Sequence, residues 1–374
     1  MKTILRCNEG TRIRTFCLPS AIGCTWIAVL CLLSLLTILP ARAQAAQQEF
    51  MVMGIHPHAL IVLDTSKDEV VAEIPLRGRA PKEIAGTRDG RHLYVTTEGR
   101  SQIEVVDFPS RKVEDVIDLA PPGYKFVIYG LTLSRDEKVL YAHVKPVRLL
   151  PDEYQAEPPE ILAYDLSTHK SHKVAVVPEG VAALVALADG KRLLAWGRDL
   201  FFIEIAQGRI TETFGLQTPS PDHGVLNTLP LFVQYDQANV FSVPYYTTNP
   251  LNGKDVMGLV DVDLETGLPS VIELGPAIPL YSTVLSPDRM RAYSVMNQLV
   301  AVDLEEKRVT NVVNLDRTKY VINISGDGRK LYVSGAGPFM DIYDAQTLKP
   351  IKKIELSGDG SVTSLRVLRQ GTTP

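Results

Sequence analysis

Cysteine is scarce in this sequence, and its placement excludes several kinds of site. All four cysteines of the 374-residue chain lie near its start, at Cys7, Cys17, Cys24 and Cys31. The rest of the chain therefore offers no disulfide, no thiolate nucleophile, no cysteine-ligated metal cluster and no attachment motif for a c-type haem. It also lacks a P-loop, a dinucleotide fingerprint and a Gly-x-Ser-x-Gly elbow. We therefore predict no catalytic, cofactor-binding or metal-binding residue in this chain.

Runs of basic residues are missing as well. The chain has 39 Lys and Arg against 43 Asp and Glu, a formal net charge of −4. Without residues 1–43, which hold five basic residues and one acid, the charge becomes −8. Because an acidic surface repels phosphate backbones, we expect no nucleic-acid partner.

Charge is absent altogether from residues 21–40, and this predicts export. Basic residues precede the uncharged run, and Ala41-Arg42-Ala43 follows it. This layout is typical of a secretory signal peptide, so we expect a signal peptide at residues 1–43 and a periplasmic mature chain, residues 44–374. An uncleaved membrane anchor is the alternative, since about 20 apolar residues can span a bilayer.

What the sequence does contain is a repeat. A short aliphatic run ending in an acid recurs seven times, 39 to 59 residues apart, with these anchor acids: Asp64, Asp107, Asp165, Glu204, Asp263, Asp303 and Asp344. A second phrase, a turn followed by a strand, lies between them and carries these turn acids: Asp89, Asp136, Asp189, Asp236, Asp288 and Asp327. The spacing is typical of four-stranded propeller blades. We predict an all-β, seven-bladed propeller of antiparallel blades, with strands A and B joined at the turn acid and strands C and D at the anchor acid.

The two ends of the chain should meet in the first blade. Only one clear strand, Phe50–Gly54, precedes the first anchor, whereas two are needed. Residues 361–368 follow the seventh blade and read as a strand. We therefore predict that this C-terminal strand completes the first blade and closes the ring, which removes exposed sheet edges.

Two blades carry inserts, and these hold the candidate site residues. The distance from turn acid to anchor acid is 29 residues in blade three and 27 in blade five, against 15 to 18 elsewhere. Both inserts should join strands B and C and emerge on one face. We select Arg148, Tyr154, Tyr245 and Tyr246 as partner or substrate-pocket candidates, because Arg and Tyr are enriched at interface anchors. Surface loops without function, and core packing of the two adjacent tyrosines, are the alternatives.

Two closely spaced histidine pairs have a plainer interpretation. His56 and His58, and His169 and His172, fall in loops or turns, and no acid is spaced to complete a metal's ligand shell. We expect them to be solvated.

The chain resembles the β subunit of quinohemoprotein amine dehydrogenase, within the superfamily of YVTN-repeat and methylamine dehydrogenase heavy-chain-like propellers. The resemblance runs over nearly the whole mature chain, and these stretches carry it: Pro146–Arg148, Gly197–Leu200, Pro244–Thr247, Gly258–Gly267, Tyr281–Thr283, Val321–Ser325 and Tyr343–Leu348. The more acidic, proline-rich insert of blade three departs from the family.

The resemblance implies a periplasmic heterotrimer in which this chain is not catalytic alone. A large α subunit carries two c-type haems, and a small γ subunit carries cysteine tryptophylquinone. A primary amine is oxidised to aldehyde and ammonia at the quinone, and the electrons leave through the haems to a soluble carrier. This chain would hold the quinone-bearing subunit.

Two other functional classes stay open at the level of sequence. One is a free-standing periplasmic propeller that binds a ligand or a protein, because fold alone does not choose a function. The other is a propeller hydrolase of the lactonase kind, which needs metal-binding acids and histidines that the sequence does not bring together.

Overall fold

The computed structural model describes residues 47–219, 224–361 and 363–371. The predicted signal peptide, residues 1–43, lies outside the described residues. Those residues form seven antiparallel sheets arranged as a ring, so the prediction of a seven-bladed propeller is confirmed. No helix of the described part is both long and apolar enough to cross a membrane.

The strands follow one another in chain order around the ring. Blade 1 contains β1 (Gln48–Ile55), β2 (Ala59–Asp64) and β3 (Glu69–Pro75). Blade 2 contains β4 (Ile84–Gly86), β5 (His92–Thr97), β6 (Gln102–Asp107) and β7 (Lys112–Ile117). Blade 3 contains β8 (Tyr124–Leu133), β9 (Val139–Leu149), β10 (Tyr154–Ala156), β11 (Glu160–Asp165) and β12 (Lys170–Val176). Blade 4 contains β13 (Ala183–Ala186), β14 (Arg192–Trp196), β15 (Leu200–Glu204), a 3-10 turn (Ile205–Gln207) and β16 (Arg209–Phe214). Blade 5 contains β17 (Asn227–Thr228), β18 (Val240–Thr248), β19 (Asp255–Asp263) and β20 (Pro269–Pro276). Blade 6 contains β21 (Leu280–Leu285), β22 (Arg291–Met296), β23 (Gln298–Asp303) and β24 (Arg308–Asn314). Blade 7 contains β25 (Lys319–Ile324), β26 (Lys330–Gly335), β27 (Phe339–Asp344) and β28 (Pro350–Glu355). The last strand, β29 (Leu365–Gln370), returns to blade 1.

The core lies between the blades rather than at one centre. Seven clusters of buried apolar side chains each join two neighbouring blades. This explains why the middle strand β2 is buried at all six positions, whereas the outer strand β3 is mostly exposed. A sheet covered on both faces needs near-continuous apolar runs, and the sequence repeat reflects that need.

Most acids of the repeat accept hydrogen bonds from the turn that they begin. In the turn after β4, Asp89 accepts hydrogen bonds from the hydroxyl of Thr87 (2.6 Å) and the N–H of Arg91 (2.9 Å). The next residue, Gly90, has φ of +68°, which a Cβ would strain. We call the side of the ring that carries the A–B and C–D turns the turn face. The B–C loops and the connections between blades form the loop face.

The C-terminal strand closes the ring, as predicted. Strand β29 pairs antiparallel with β1, with Leu368 opposite Phe50. The strand begins at Leu365, four residues later than predicted, because the preceding residues make other contacts: the N–H of Gly54 donates to Oγ1 of Thr363 (3.1 Å), and that of His56 donates to the carbonyl of Asp359 (2.7 Å). Val362, part of the predicted strand, lies outside the described residues.

Candidate functional site

Both inserts join strands B and C on the loop face, and both contain paired β-strands rather than irregular loops. In blade 3 the insert folds back as the short strand β10, which pairs with residues 147–149 of β9. In blade 5, β18 and β19 are extended to nine residues each, and the turn between them is residues 249–254. The segment Pro244–Thr247, predicted as part of a projecting loop, is therefore inside a strand.

The blade-3 insert presents an exposed tyrosine next to a fixed arginine. Tyr154 is 80% exposed at the start of β10. Arg148 donates from Nε to the hydroxyl of Tyr124 (2.9 Å), and its Nη2 lies 3.0 Å from Oε1 of Glu157. The hydrogen bond to Tyr124, together with Glu157, raises the pKa of Arg148 further. Arg148 thus already has a carboxylate partner within its own blade, while Tyr154 has a free surface.

Tyr245 packs in the core, which corrects its assignment to the rim. Its side chain is 0% exposed and belongs to the cluster between blades 4 and 5 with Phe241 and Trp196. The reason is the alternation along β18, which turns residues 241, 243 and 245 toward blade 4. Gly258 makes room for the ring, since a Cβ there would lie 2.4 Å from it. Tyr245 therefore offers no surface to a partner, and burial raises the pKa of its hydroxyl well above the ordinary value.

Tyr246 points the other way and lines an apolar hollow between blades 5 and 6. Its hydroxyl lies 3.0 Å from the carbonyls of Ile278 and Leu280 and accepts from the N–H of Leu280. Burial raises the pKa of Tyr246 to about 12, so the hydroxyl stays a donor. The apolar hollow has a volume of about 480 Å³ and is lined mainly by Leu229, Pro244, Tyr246, Pro279, Tyr281 and Met296. Its mouth opens on the loop face, where strand β21 begins.

The segment between β17 and β18 fills the centre of the ring, which the sequence analysis did not foresee. Phe232 of this segment packs with Met53 of blade 1 and Tyr332 of blade 7, neither of which belongs to a blade neighbouring its own. The ring of Phe232 also lies 6.2 Å from that of Tyr320, which stacks on Tyr281 at 5.3 Å. A signal existed in the sequence: 32 residues separate anchor Glu204 from turn acid Asp236, against 24 to 29 in the other blades.

Asp236 differs from the other turn acids because it reaches across the ring. It pairs with Arg366 of β29 (Oδ1 to Nη2, 2.5 Å) and accepts from the N–H of Val367 (3.1 Å). Both side chains of the pair are about nine-tenths buried. Burial alone would lower the pKa of Arg366, but the Asp236 charge outweighs it and the pKa is raised. The pair stands at the edge of a polar cavity of about 570 Å³ that opens on the turn face.

The remaining polar candidates lie away from this centre. His56, His58, His169 and His172 are exposed, as expected for solvated histidines, but His172 lies in strand β12 rather than in a loop or turn. Ligand-type atoms of His92, Asp107 and Glu114, on strands β5 to β7 of blade 2, lie within 4.8 Å of one another. Nε2 of His92 is 3.3 Å from Oε1 of Glu114, so the two form an ion pair when the imidazole is protonated.

Comparisons with known proteins place the fold but not the family. No family model matches the chain, and no curated protein matches it. Among solved structures, hydrazine synthase of Kuenenia stuttgartiensis is similar at a TM-score of 0.55 and 16% identity, covering 81% of this chain and 90% of that one. The dihydro-heme d1 dehydrogenase NirN in complex with DHE gives a TM-score of 0.52 at 14% identity, covering 83% and 73%. A protein of unknown function from Desulfotomaculum acetoxidans gives 0.58 at 12% identity, covering 86% and 99%. These similarities show the propeller fold alone, so the resemblance to an amine dehydrogenase subunit stays a prediction.

Proposed function

We propose that this chain is a scaffold subunit that docks a partner protein on its loop face, within an exported amine dehydrogenase. The observation that carries the docking proposal is the apolar hollow on that face, together with two strongly exposed side chains on the inserts. The apolar hollow lies there, Leu251 at the tip of the blade-5 turn is 79% exposed, and Tyr154 on the blade-3 insert is 80% exposed.

Such a surface suits a protein partner for physical reasons. Contiguous apolar surface exposed on a folded domain marks an interaction site more often than chance exposure does. Exposed tyrosine and leucine on ordered inserts lose little conformational entropy when they are covered, since the inserts are already fixed by strand pairing. The hollow accepts an apolar side chain of the partner, and the hydroxyl network of Tyr246 keeps its wall in place.

The sequence resemblance supplies the finer proposal. In it, this chain binds no prosthetic group, and its partners are a dihaem α subunit and a γ subunit that carries cysteine tryptophylquinone. A primary amine is oxidised at the quinone, and a soluble carrier receives the electrons from the haems. The signal-type sequence of residues 1–43 supports assembly in the periplasm.

The test is affinity purification of the tagged full-length chain from its native host. We expect two co-purifying chains, one with a haem absorbance and one that stains for a redox-cycling quinone. The double variant Tyr154→Ala, Leu251→Ser should weaken this association by about 2 kcal/mol, the size typical of interface anchors. Ile351→Ser is the matched control, because Ile351 is an exposed aliphatic residue on the outer strand β28 and should leave the complex intact.

Recovery of the exported chain alone, colourless and without partners, would refute the amine dehydrogenase proposal. If the control variant released partners as readily as the double variant, docking would have to be assigned to another surface.

A further inference from the structure

Within the described residues, two cations without a hydrogen-bond or ion-pair partner lie at the loop-face end of the inner strand β4. Lys82 lies just before this strand, and Arg100 lies in the B–C loop of the same blade. Across the described residues, neither the Lys82 ammonium nor the Arg100 guanidinium makes a hydrogen bond or an ion pair with another residue. Both side chains are partly buried. Burial, and then the charge of Arg100, lower the pKa of Lys82, and the charge of Glu83 opposes them in part.

Aromatic and basic groups of blade 3 surround Arg100. Its guanidinium carbon lies 4.5 Å from the centre of the Tyr129 ring, and the Lys145 ammonium lies 4.9 Å from the same centre. Lys145 has its own acidic partner, Glu179, at 3.2 Å. The ring thus holds Arg100 in place without satisfying its hydrogen-bond donors.

The two loops that carry these cations are tied to each other. The buried carboxylate of Glu104 accepts from the N–H groups of Arg77 (2.9 Å) and Gly78 (2.5 Å), which begin the loop leading to Lys82. The N–H of Glu98 in the other loop donates to the carbonyl of Arg79 (2.7 Å). These bonds fix the backbones of the two loops relative to each other.

The backbone of these loops is also strained. Eleven non-glycine residues in the described part have positive φ, and eight of them lie in turns of the turn face. The other three are Ala80, Glu98 and Arg100, all in the two tied loops. Strain of this kind persists where the surroundings hold a particular arrangement of side chains.

The nearby carboxylates of the described residues form no ion pair with either cation. Glu83, the acid nearest in sequence, is buried and forms no ion pair with either cation within the described residues; burial raises its pKa despite Lys82 and Arg100. Arg366 is neutralised by Asp236, as Lys145 is by Glu179. Glu98 and Glu104 of the same blade direct their carboxylates at backbone N–H groups of the loop before β4, so within the described residues the donors of Lys82 and Arg100 stay free.

We propose that Lys82 and Arg100 form a binding site for a carboxylate group. A carboxylate carries one negative charge and accepts hydrogen bonds from a guanidinium and an ammonium at the same time, whereas a phosphate carries nearly two charges. The carboxylate belongs either to a free small organic acid or to an acidic side chain of another protein. The site is formed by this chain alone, so it does not depend on the assembly proposed above.

The test is calorimetric titration of the purified chain at low ionic strength with two probes. Succinate represents a free acid, and N-acetyl-glutamate amide represents a protein side chain. We expect at least one probe to bind, and Lys82→Gln and Arg100→Gln each to raise its dissociation constant about tenfold or more, as the loss of a charge-assisted hydrogen bond implies. Added sodium chloride should weaken binding.

Lys254→Gln is the matched control, because Lys254 is an exposed lysine on the blade-5 turn of the same face and should bind as the parent chain does. Binding of the glutamate amide assigns the site to a protein side chain, and binding of succinate alone assigns it to a free acid. No binding of either probe, or equal binding by the Arg100→Gln variant with an unchanged melting temperature, overturns the proposal.

Discussion

The two faces of the ring use polar residues in opposite ways. On the turn face, acids recur at equivalent positions, and most of them accept hydrogen bonds from nearby backbone N–H groups. Asp165 accepts from the N–H groups of Ser167 (2.9 Å) and Thr168 (2.8 Å), and Asp263 accepts from the N–H of Glu265 (2.8 Å). The Ser167 hydroxyl and these N–H groups lower the pKa of Asp165 to about 2. These residues build the fold.

The loop face has no such regularity. Its connections differ in length from blade to blade, and they contain the apolar hollow and the exposed Tyr154 and Leu251. They also contain Lys82 and Arg100, whose charged groups have no hydrogen-bond or ion-pair partner among the described residues. Polar side chains that are buried or half-buried without a hydrogen-bond or ion-pair partner lower the stability of the folded state. Proteins therefore retain such side chains mainly at sites that bind a ligand or a partner. The contrast indicates that the turn face specifies the ring and the loop face carries recognition, as is usual for loops on a rigid scaffold.

The largest effect should come from removing strand β29. Deleting residues 361–374 removes Leu365 and Leu368, both buried, and exposes the edge of β1. Each buried leucine contributes about 1.5–3 kcal/mol, and a domain of this kind has only about 5–15 kcal/mol in total. We expect loss of the folded state, measured by circular dichroism and size-exclusion chromatography. A truncated chain with an unchanged melting temperature would show that closure is not needed for the ring.

A smaller loss should follow from breaking the buried ion pair that crosses the ring on the turn face. Arg366→Ala leaves Asp236 buried and without its partner, which should cost about 3–5 kcal/mol. The double variant Arg366→Met, Asp236→Asn removes both charges and should recover much of that loss. Urea unfolding of the parent chain, the single variant and the double variant measures these changes in the free energy of unfolding. If the single and double variants are equally unstable, the strand contacts of Arg366, rather than the ion pair, account for its role.

Much of this architecture could be predicted because it repeats. The blade number, the A–B and C–D turns and the C-terminal closure all follow from spacing and from Asp-Gly chemistry that acts within a few residues. The ring-crossing role of Asp236 could not be predicted in this way, because its longer spacing from Glu204 indicates an insert but not where the carboxylate binds. Its partner, Arg366, is 130 residues away in sequence.

The site residues were predicted less well, for a related reason. Tyr245 and Tyr246 are adjacent in sequence and lie on opposite sides of one strand, so the direction of the alternation decides which is buried. That direction depends on the register of β18 against Gly258, a contact between strands. Lys82 and Arg100 gave no signal because an unpaired cation is recognised only once its surroundings are known.

The smallest effect tests the contrast between the faces at a single acid. In Asp288→Ala, the turn after β21 loses acceptors for the Ser286 hydroxyl (2.6 Å) and the N–H of Met290 (3.0 Å), and the free energy of unfolding should fall by about 1 kcal/mol. Asp152→Ala on the loop face makes the same substitution where the carboxylate has no hydrogen bond within the described residues, and should stay within about 0.5 kcal/mol of the parent chain. The pH dependence should differ in the same sense. The hydrogen bond from Ser286, and then that from Met290, lower the pKa of Asp288 below its ordinary value of 3.8. The contribution of Asp288 to stability is therefore present above pH 3.8 and is lost as the pH falls through the lower pKa of the folded state.

Urea unfolding of the parent chain and both variants between neutral and acid pH would measure this pH dependence. The parent chain and Asp152→Ala should lose stability more steeply below pH 3.8 than Asp288→Ala does, and parallel curves for all three would mean that the turn acids do not stabilise the turn face through their charge.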